Sequence, residues 1–470
     1  MQLTSIPFLI YFLPILLIIY YAASFSAMAQ NGVLFVACLL FYSWGDPQSI
    51  MLLVACILLS SVASYLIKRM EGQMKKIMLY IGVGVNLFIL FATRYMGTFL
   101  ELLGPSLGVE LHYSVHEPMG MLVYILHAIS YLVDVYRGKA EVDSPFNVGI
   151  YIAFFPFLSH GPLICYRDIQ PQLRNRKIDY RLLALGACRL IVGLAKLVIL
   201  SDRLSGVATN IFNLATIDSG EYSVPILLSW LGVGTFTLQI YFEFSGFADM
   251  AIGVAMLLGY RINENFNAPY SATSVREFWR RWEIGLVQWS QRYINSLFSE
   301  THSEGEDASV FQIFTFALMG FWHGTSYTFL LWGVFNGIIV LAESIVDYPS
   351  KIPTKFLKHV YTMFLVCLGM VMFRAGDIYQ ASRYYLDLFG LNNNGFFSDI
   401  ALRMIRENWI YYIAGILFCT PIARNMNGRM FKDQNGLLNQ VMTIVYPVCM
   451  CLLLGICICF IVVGNYFPTL

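Results

Sequence analysis

The feature that most constrains this chain is a recurrence: apolar runs at 6–23, 77–92, 224–242, 328–341 and 441–463 repeat from one end to the other. A helix needs about 20 apolar residues to cross a bilayer. Only helices and closed barrels satisfy their backbone polar groups in lipid, and the short alternating strands of a barrel are missing from this pattern. Hydrophobic residues make up 58% of the 470 and charged residues 13%, with a mean hydropathy of +0.63. Soluble domains carry about 25% charged residues, so a soluble core is excluded. The expected fold is therefore an all-α polytopic membrane protein of about ten to twelve transmembrane helices, with re-entrant or interfacial helices between them.

Charge supplies the topology. The net charge is +1, and the 30 Lys and Arg residues fall in short clusters between apolar runs, which argues against nucleic acid as a partner and for topology signals. Lys68, Arg69, Lys75 and Lys76 form the first cluster, so that loop is expected in the cytoplasm. If Gly45-Asp46-Pro47 splits residues 32–67 into two helices, three crossings precede the loop and the N-terminus lies outside. Ala27-Met28-Ala29 resembles a signal-peptidase site, but no Lys or Arg precedes Lys68, which favours an uncleaved first helix. Residues 148–165 have basic clusters at both ends and carry Pro156 and His160-Gly161-Pro162, as suits a re-entrant element against a protein-lined cavity.

The longest polar interruption, 261–306, holds Arg276, Arg280, Arg281 and Arg292 among Trp279, Trp282 and Trp289. Such a segment suits a helix lying at the cytoplasmic interface, and its plainest role is anchoring. Cysteines scattered through apolar runs imply neither disulfides nor a metal. His112 and His116 have a metal-compatible spacing without a third ligand, and no metal is expected.

An ionisable residue inside a membrane segment is costly and marks a candidate site. His323, in Gly320-Phe321-Trp322-His323-Gly324, sits between the apolar runs 310–318 and 327–341. A neutral imidazole can take the proton of a hydroxyl near neutral pH, the step that acyl transfer to an alcohol requires. A histidine hydrogen-bonded between helices would look the same in sequence. Gln239, Tyr241, Glu243, Ser245 and Asp249 place two carboxylates in another apolar stretch, where they could shape a polar tunnel or pair with Arg280 or Arg281.

Set side by side, these stretches resemble the membrane-bound O-acyltransferase family, in particular the bacterial branch that modifies alginate and teichoic acid. The resemblance rests on Phe41-Tyr42-Ser43-Trp44, on residues 130–137, on His160-Gly161-Pro162 with Pro171-Gln172-Leu173, and on residues 244–253. It continues through Asn265-Phe266-Asn267-Ala268-Pro269-Tyr270, Glu277-Phe278-Trp279-Arg280-Arg281-Trp282, residues 320–324 and Phe373-Arg374-Ala375. The order and spacing of these pieces carry it. It implies a single domain around a central tunnel, with N-terminal helices over 1–96, a catalytic core over 118–375 and C-terminal helices over 376–470. His323 and Glu283 are the implied catalytic positions. Trp322, Ser245, Asp249, Glu243, Gln239, Trp279, Arg280, Arg281 and Asn267 are expected to line the tunnel.

One departure is pointed. Many bacterial members have a second histidine after Arg-Arg-Trp, where this chain has Glu283. A carboxylate there could hold His323 as imidazolium or accept its hydrogen bond, but it cannot copy a neutral imidazole's paired donor and acceptor. The resemblance implies acetyl-CoA as a cytoplasmic donor substrate, no permanently bound cofactor, lipid around the chain, and a bacterial inner membrane. It also implies a partner of the SGNH-hydrolase type outside, completing transfer to a surface polysaccharide. A proton-coupled transporter, or a non-catalytic subunit of a polysaccharide export or modification complex, would share the many helices and the buried charges.

Overall fold

The computed structural model describes residues 2–107, 113, 115–158, 161–176, 178–216, 223–295, 311–422 and 437–464, and every regular element among them is helical. His112, His160 and residues 296–306 of the Trp-rich segment lie outside the described residues. Among the described residues, eight helices are long and apolar enough to cross a membrane. Three shorter apolar helices, Pro7–Ala22, Met121–Tyr136 and Pro145–Leu158, accompany them. The chain is thus a multi-pass membrane protein.

It forms two compact units, one of Met1–Leu190 with Ala248–Asn263 and the other of Ile191–Phe247 with Glu264–Leu470. In the first unit the helix Ala27–Gly45 stops one residue before Asp46-Pro47, and Ile50–Arg69 follows. Proline has no N–H to continue the ladder, and the Asp46 carboxylate instead accepts from Ser49 N at 3.2 Å. The first apolar helix is tied in through Tyr20 and Tyr21, whose hydroxyls donate to Leu258 O (2.8 Å) and Leu257 O (2.6 Å). The expected re-entrant element is built as two short helices, Pro145–Ile152 and Phe155–Leu158, in which residues 148–158 are all buried. Lys75 lies 5.1 Å from the Tyr136 ring, gathering the basic loop and the Arg137 end of Met121–Tyr136 at one face. His116 is exposed and stands 3.1 Å from Asp46.

The second unit takes most of the Ile226–Leu257 helix, which at about 1.5 Å per residue exceeds the thickness of the hydrocarbon core and is the most buried span. Phe311–His323 and Tyr327–Val346 form a tight hairpin joined by Gly324-Thr325-Ser326. Its turn is set by Ser326, whose Oγ accepts from Thr328 N, while Thr328 Oγ1 donates to Ala375 O at 3.2 Å. Caps of the same kind at Thr354, Asp377 and Ser398 start the helices Lys355–Arg374, Ile378–Leu388 and Asp399–Phe418. All ten cysteines are free thiols.

Candidate active site

The segment expected to be one interfacial helix is broken. Val275–Trp279 and Ile284–Ser290 are separate helices, and the break is Glu283, held at φ +42°, a left-handed conformation that few side chains other than glycine and asparagine adopt. Asn265 makes that conformation possible. It is buried; its carbonyl accepts from Ile284 N and its Oδ1 from Gly285 N, both at 2.9 Å, so it caps the second helix just after the strained residue. Asn267 N donates to Arg281 O at 2.9 Å, pinning the other side of the turn.

The first short helix is fixed by carboxylates. Ser274 Oγ accepts from Glu277 N (2.9 Å), and Glu277 reaches back to Thr273 N (2.7 Å). Glu343, buried in Tyr327–Val346, accepts from Val275 N (2.9 Å) and Arg276 N (2.8 Å). A carboxylate at a helix N-terminus satisfies N–H groups that have no partner within the helix. The three tryptophans of this segment are buried, so they pack and do not anchor to lipid. Trp279 Nε1 donates to Asn336 Oδ1 at 3.2 Å, and its ring lies 5.5 Å from that of Trp332.

Trp332 leads to His323, the last residue of its helix, whose ring is 5.5 Å from Trp332, 5.1 Å from Phe373 and 6.0 Å from Phe244. Phe244 in turn lies 6.2 Å from Trp282, the residue before Glu283. Both tryptophans of the Phe-Trp-Arg-Arg-Trp segment thus reach the surroundings of His323 through a single intervening ring. His323 and Trp322 are half-buried, leaving the imidazole accessible within an aromatic wall. Gln239, Glu243 and Ser245 are buried on the helix that carries Phe244, with Gln239 Nε2 donating to Glu243 Oε2 at 3.0 Å.

Two pairings differ from expectation. Arg281 bonds Glu277 (2.5 Å) and Ser271 Oγ (2.9 Å). Asp249 belongs to the first unit, where Arg189 holds it through Nε (3.0 Å) and Nη2 (2.9 Å). That partner is 60 residues away, and only the packing of Tyr180–Ala195 against the end of Ile226–Leu257 brings it near. Lys196 joins the residues expected at the site. Its ammonium lies within the Tyr180–Ala215 span, 3.3 Å from Ser245 Oγ and 5.8 Å from the Tyr241 ring centre. A lysine amid Leu194-Ala195 and Leu197-Val198 is the same signal that singled out His323.

Glu283 is half-buried, and no donor among the described residues reaches its carboxylate, so the anticipated bond from His323 is not made. Surrounding protein strips the group of water and pushes its carboxyl up to about 7. A raised carboxyl binds its proton more tightly in the folded state, so stability falls as pH rises from the unfolded value, about 4.3 for glutamate, through about 7. Glu283→Gln should therefore melt with the wild type at about pH 4 and above it at about pH 8. Parallel melting curves over that range would refute the burial of this carboxyl.

The chain belongs to the membrane-bound O-acyltransferase (MBOAT) family, whose model matches residues 36–376, and it is an O-acyltransferase. It is 32% identical over 403 residues to "Probable alginate O-acetylase AlgI" of Pseudomonas putida, covering 84% of this chain and 81% of that protein. The peptidoglycan O-acetyltransferase of Helicobacter pylori is 27% identical, covering 82% of this chain and 79% of its own. The teichoic acid D-alanyltransferase of Bacillus subtilis is 27% identical over 58% of this chain and 74% of its own.

Proposed function

We propose that the protein moves an acetyl group from acetyl-CoA on the cytoplasmic side to hydroxyls destined for a cell-surface polysaccharide, with His323 as general base. The observation that carries this reading is the accessible imidazole within its aromatic wall, at the position where the family motif places it. The imidazole takes the hydroxyl proton as the oxygen attacks the thioester carbonyl carbon. Collapse of the tetrahedral adduct breaks the C–S bond, and the thiolate leaves as CoA after taking up a proton. Aromatic walls lower the local dielectric and exclude bulk water, which favours transfer over hydrolysis. Acetyl as the group is supported by relatives named as O-acetylases and O-acetyltransferases.

The face bearing Lys68, Arg69, Lys75, Lys76 and Arg137 is read as cytoplasmic in a bacterial inner membrane, with the N-terminus outside. An external acetyltransferase of the SGNH-hydrolase type is the proposed partner, completing transfer to an alginate-, cellulose- or peptidoglycan-like polymer. The transporter reading needed Glu243, Asp249 and His323 on one path. Asp249 is held by Arg189 in an ion pair at 2.9 Å, which supports a structural role for that carboxylate.

The test is reconstituted full-length protein with isotopically labelled acetyl-CoA and an acetylatable oligosaccharide, with and without the external partner. Label appearing as base-labile ester on the glycan is expected. Folded protein that neither consumes acetyl-CoA nor labels the acceptor under either condition would overturn the proposal.

A further inference from the structure

The first unit contains polar groups that the acyltransfer site does not use. On Met121–Tyr136, the residues Tyr124, His127, Tyr131 and Asp134 follow one another at spacings of three and four, and all are buried, as is Ser130. Such spacing aligns side chains along one side of a helix, each about 5 Å beyond the last. In one half of this row the groups are bonded to protein. Ser130 Oγ and Tyr151 OH are 2.7 Å apart, Tyr131 OH donates to Ser64 Oγ at 2.9 Å, and Tyr166 OH donates to Asp143 Oδ2 at 3.1 Å. The Tyr131 and Tyr151 rings lie 4.6 and 5.0 Å from that of Tyr166.

The other half lacks such bonds. The hydroxyls of Tyr42, Ser60 and Tyr124 and both ring nitrogens of His127 make no well-formed hydrogen bond to a described residue; Tyr42 has only longer contacts to Tyr124 and Ser49, and His127 only to the backbone of Tyr151 and Ile152. All four residues are completely buried, with 0% exposure. They share one region: the Tyr42 and Tyr124 rings are 6.4 Å apart, and His127 stacks on Tyr151 at 4.6 Å. Because Ser64 faces Tyr131, Ser60, one turn back on its helix, lies level with His127, one turn back on the other. Past Tyr42 comes Asp46, whose Oδ2 accepts from Met119 N at 3.0 Å and whose Oδ1 meets the exposed His116 at 3.1 Å.

Five buried polar atoms this poorly satisfied in the interior of a membrane protein are costly unless water completes their bonding, and clustered polar groups hold water where isolated ones do not. We propose that Tyr42, Ser60, Tyr124 and His127 hold a file of internal waters, and that this file, with Ser130, Tyr151, Tyr131 and Tyr166, forms a proton path from Asp46 to Asp143 through the first unit. One proton moves per event and no bond to carbon changes. Water on the Asp46 side gives a proton to one ring nitrogen of His127 while the other nitrogen releases its proton towards Asp143, and the ring then resets. The carboxylates at the two ends, Asp46 and Asp143, collect and release the proton, and Asp134 lies two turns beyond His127 on the same helix.

Such a path has a use in two-sided acyl transfer, where the His323 imidazolium discharges its proton to the acceptor side and the CoA thiolate draws one from the donor side; this use rests on the proposed function, the path itself does not. The test therefore omits any acyl donor. Full-length protein is reconstituted in phosphatidylethanolamine–phosphatidylglycerol vesicles enclosing a pH-sensitive dye, and a potassium diffusion potential is imposed with valinomycin. Proton entry should exceed that of protein-free vesicles and fall about tenfold in His127→Phe. Tyr42→Phe removes a single oxygen and should slow entry several-fold while keeping the wild-type melting point. Entry no faster than in protein-free vesicles, or unchanged in folded Tyr42→Phe and His127→Phe proteins, overturns the path.

Discussion

His323→Ala should lower acyl transfer by about 10²- to 10⁴-fold, the usual contribution of a positioned general base, while the melting point stays close to that of the wild type. The two readouts separate chemistry from packing. The imidazole is half-buried at the end of its helix, and the rings of Trp332, Phe373 and Phe244 that surround it also pack on Trp279, Phe329 and Trp282. Those contacts persist when the imidazole is removed, so little stability is lost. A histidine that merely tied helices together would show the opposite pattern, with a large fall in melting point and activity lost in proportion. His323→Gln sharpens the distinction, since an amide of similar size keeps hydrogen bonding but cannot accept a proton near neutral pH. Substantial transfer by His323→Gln would sink the general-base role.

The parts of the molecule legible in sequence were those governed by local rules. Asp46-Pro47 ends a helix because proline lacks a donor, and the structure breaks there. Apolar runs become spans because lipid permits little else. The motif order located His323, Trp279 and Trp282, which the structure joins through Trp332 and Phe244. What escaped was set by partners distant in the chain. Glutamate has no preference for a left-handed backbone, so nothing at Glu283 announces the break; it depends on Asn265, 18 positions earlier, capping the helix that follows. The anchoring role given to the tryptophans failed for a related reason. Composition alone does not tell lipid from protein as the apolar surroundings, and here Asn336 supplies the hydrogen-bond partner of the Trp279 indole. Asp249 likewise could not be matched to Arg189 without the register between two helices.

The largest effect on folding is expected at Gly333. A Cβ added there would stand 2.2 Å from Phe316 O and 3.0 Å from Ala317 Cα, far inside contact distance and against backbone that cannot rotate away. Gly320, on the facing helix, is under the same constraint, its added Cβ falling 2.2 Å from Phe329 O. Helices in membranes associate through such close backbone approach, because lipid provides no hydrophobic drive between them. Gly333→Ala must push Phe311–His323 away from Tyr327–Val346, at a cost of about 3 kcal/mol, the upper part of the usual range for overpacking. His323 ends the first of these helices, and Trp332, Asn336 and Glu343 sit on the second, so the displacement separates the imidazole from its wall and loosens the Val275–Trp279 helix. Activity should therefore fall together with the melting point, unlike in His323→Ala. Gly84→Ala is the control: it sits in Gly72–Leu90 with nothing within 4 Å of an added Cβ and should melt at or slightly above the wild type. Equal melting points for Gly333→Ala and Gly84→Ala would mean that the hairpin is not packed backbone to backbone, and the aromatic wall around His323 would then need a different support.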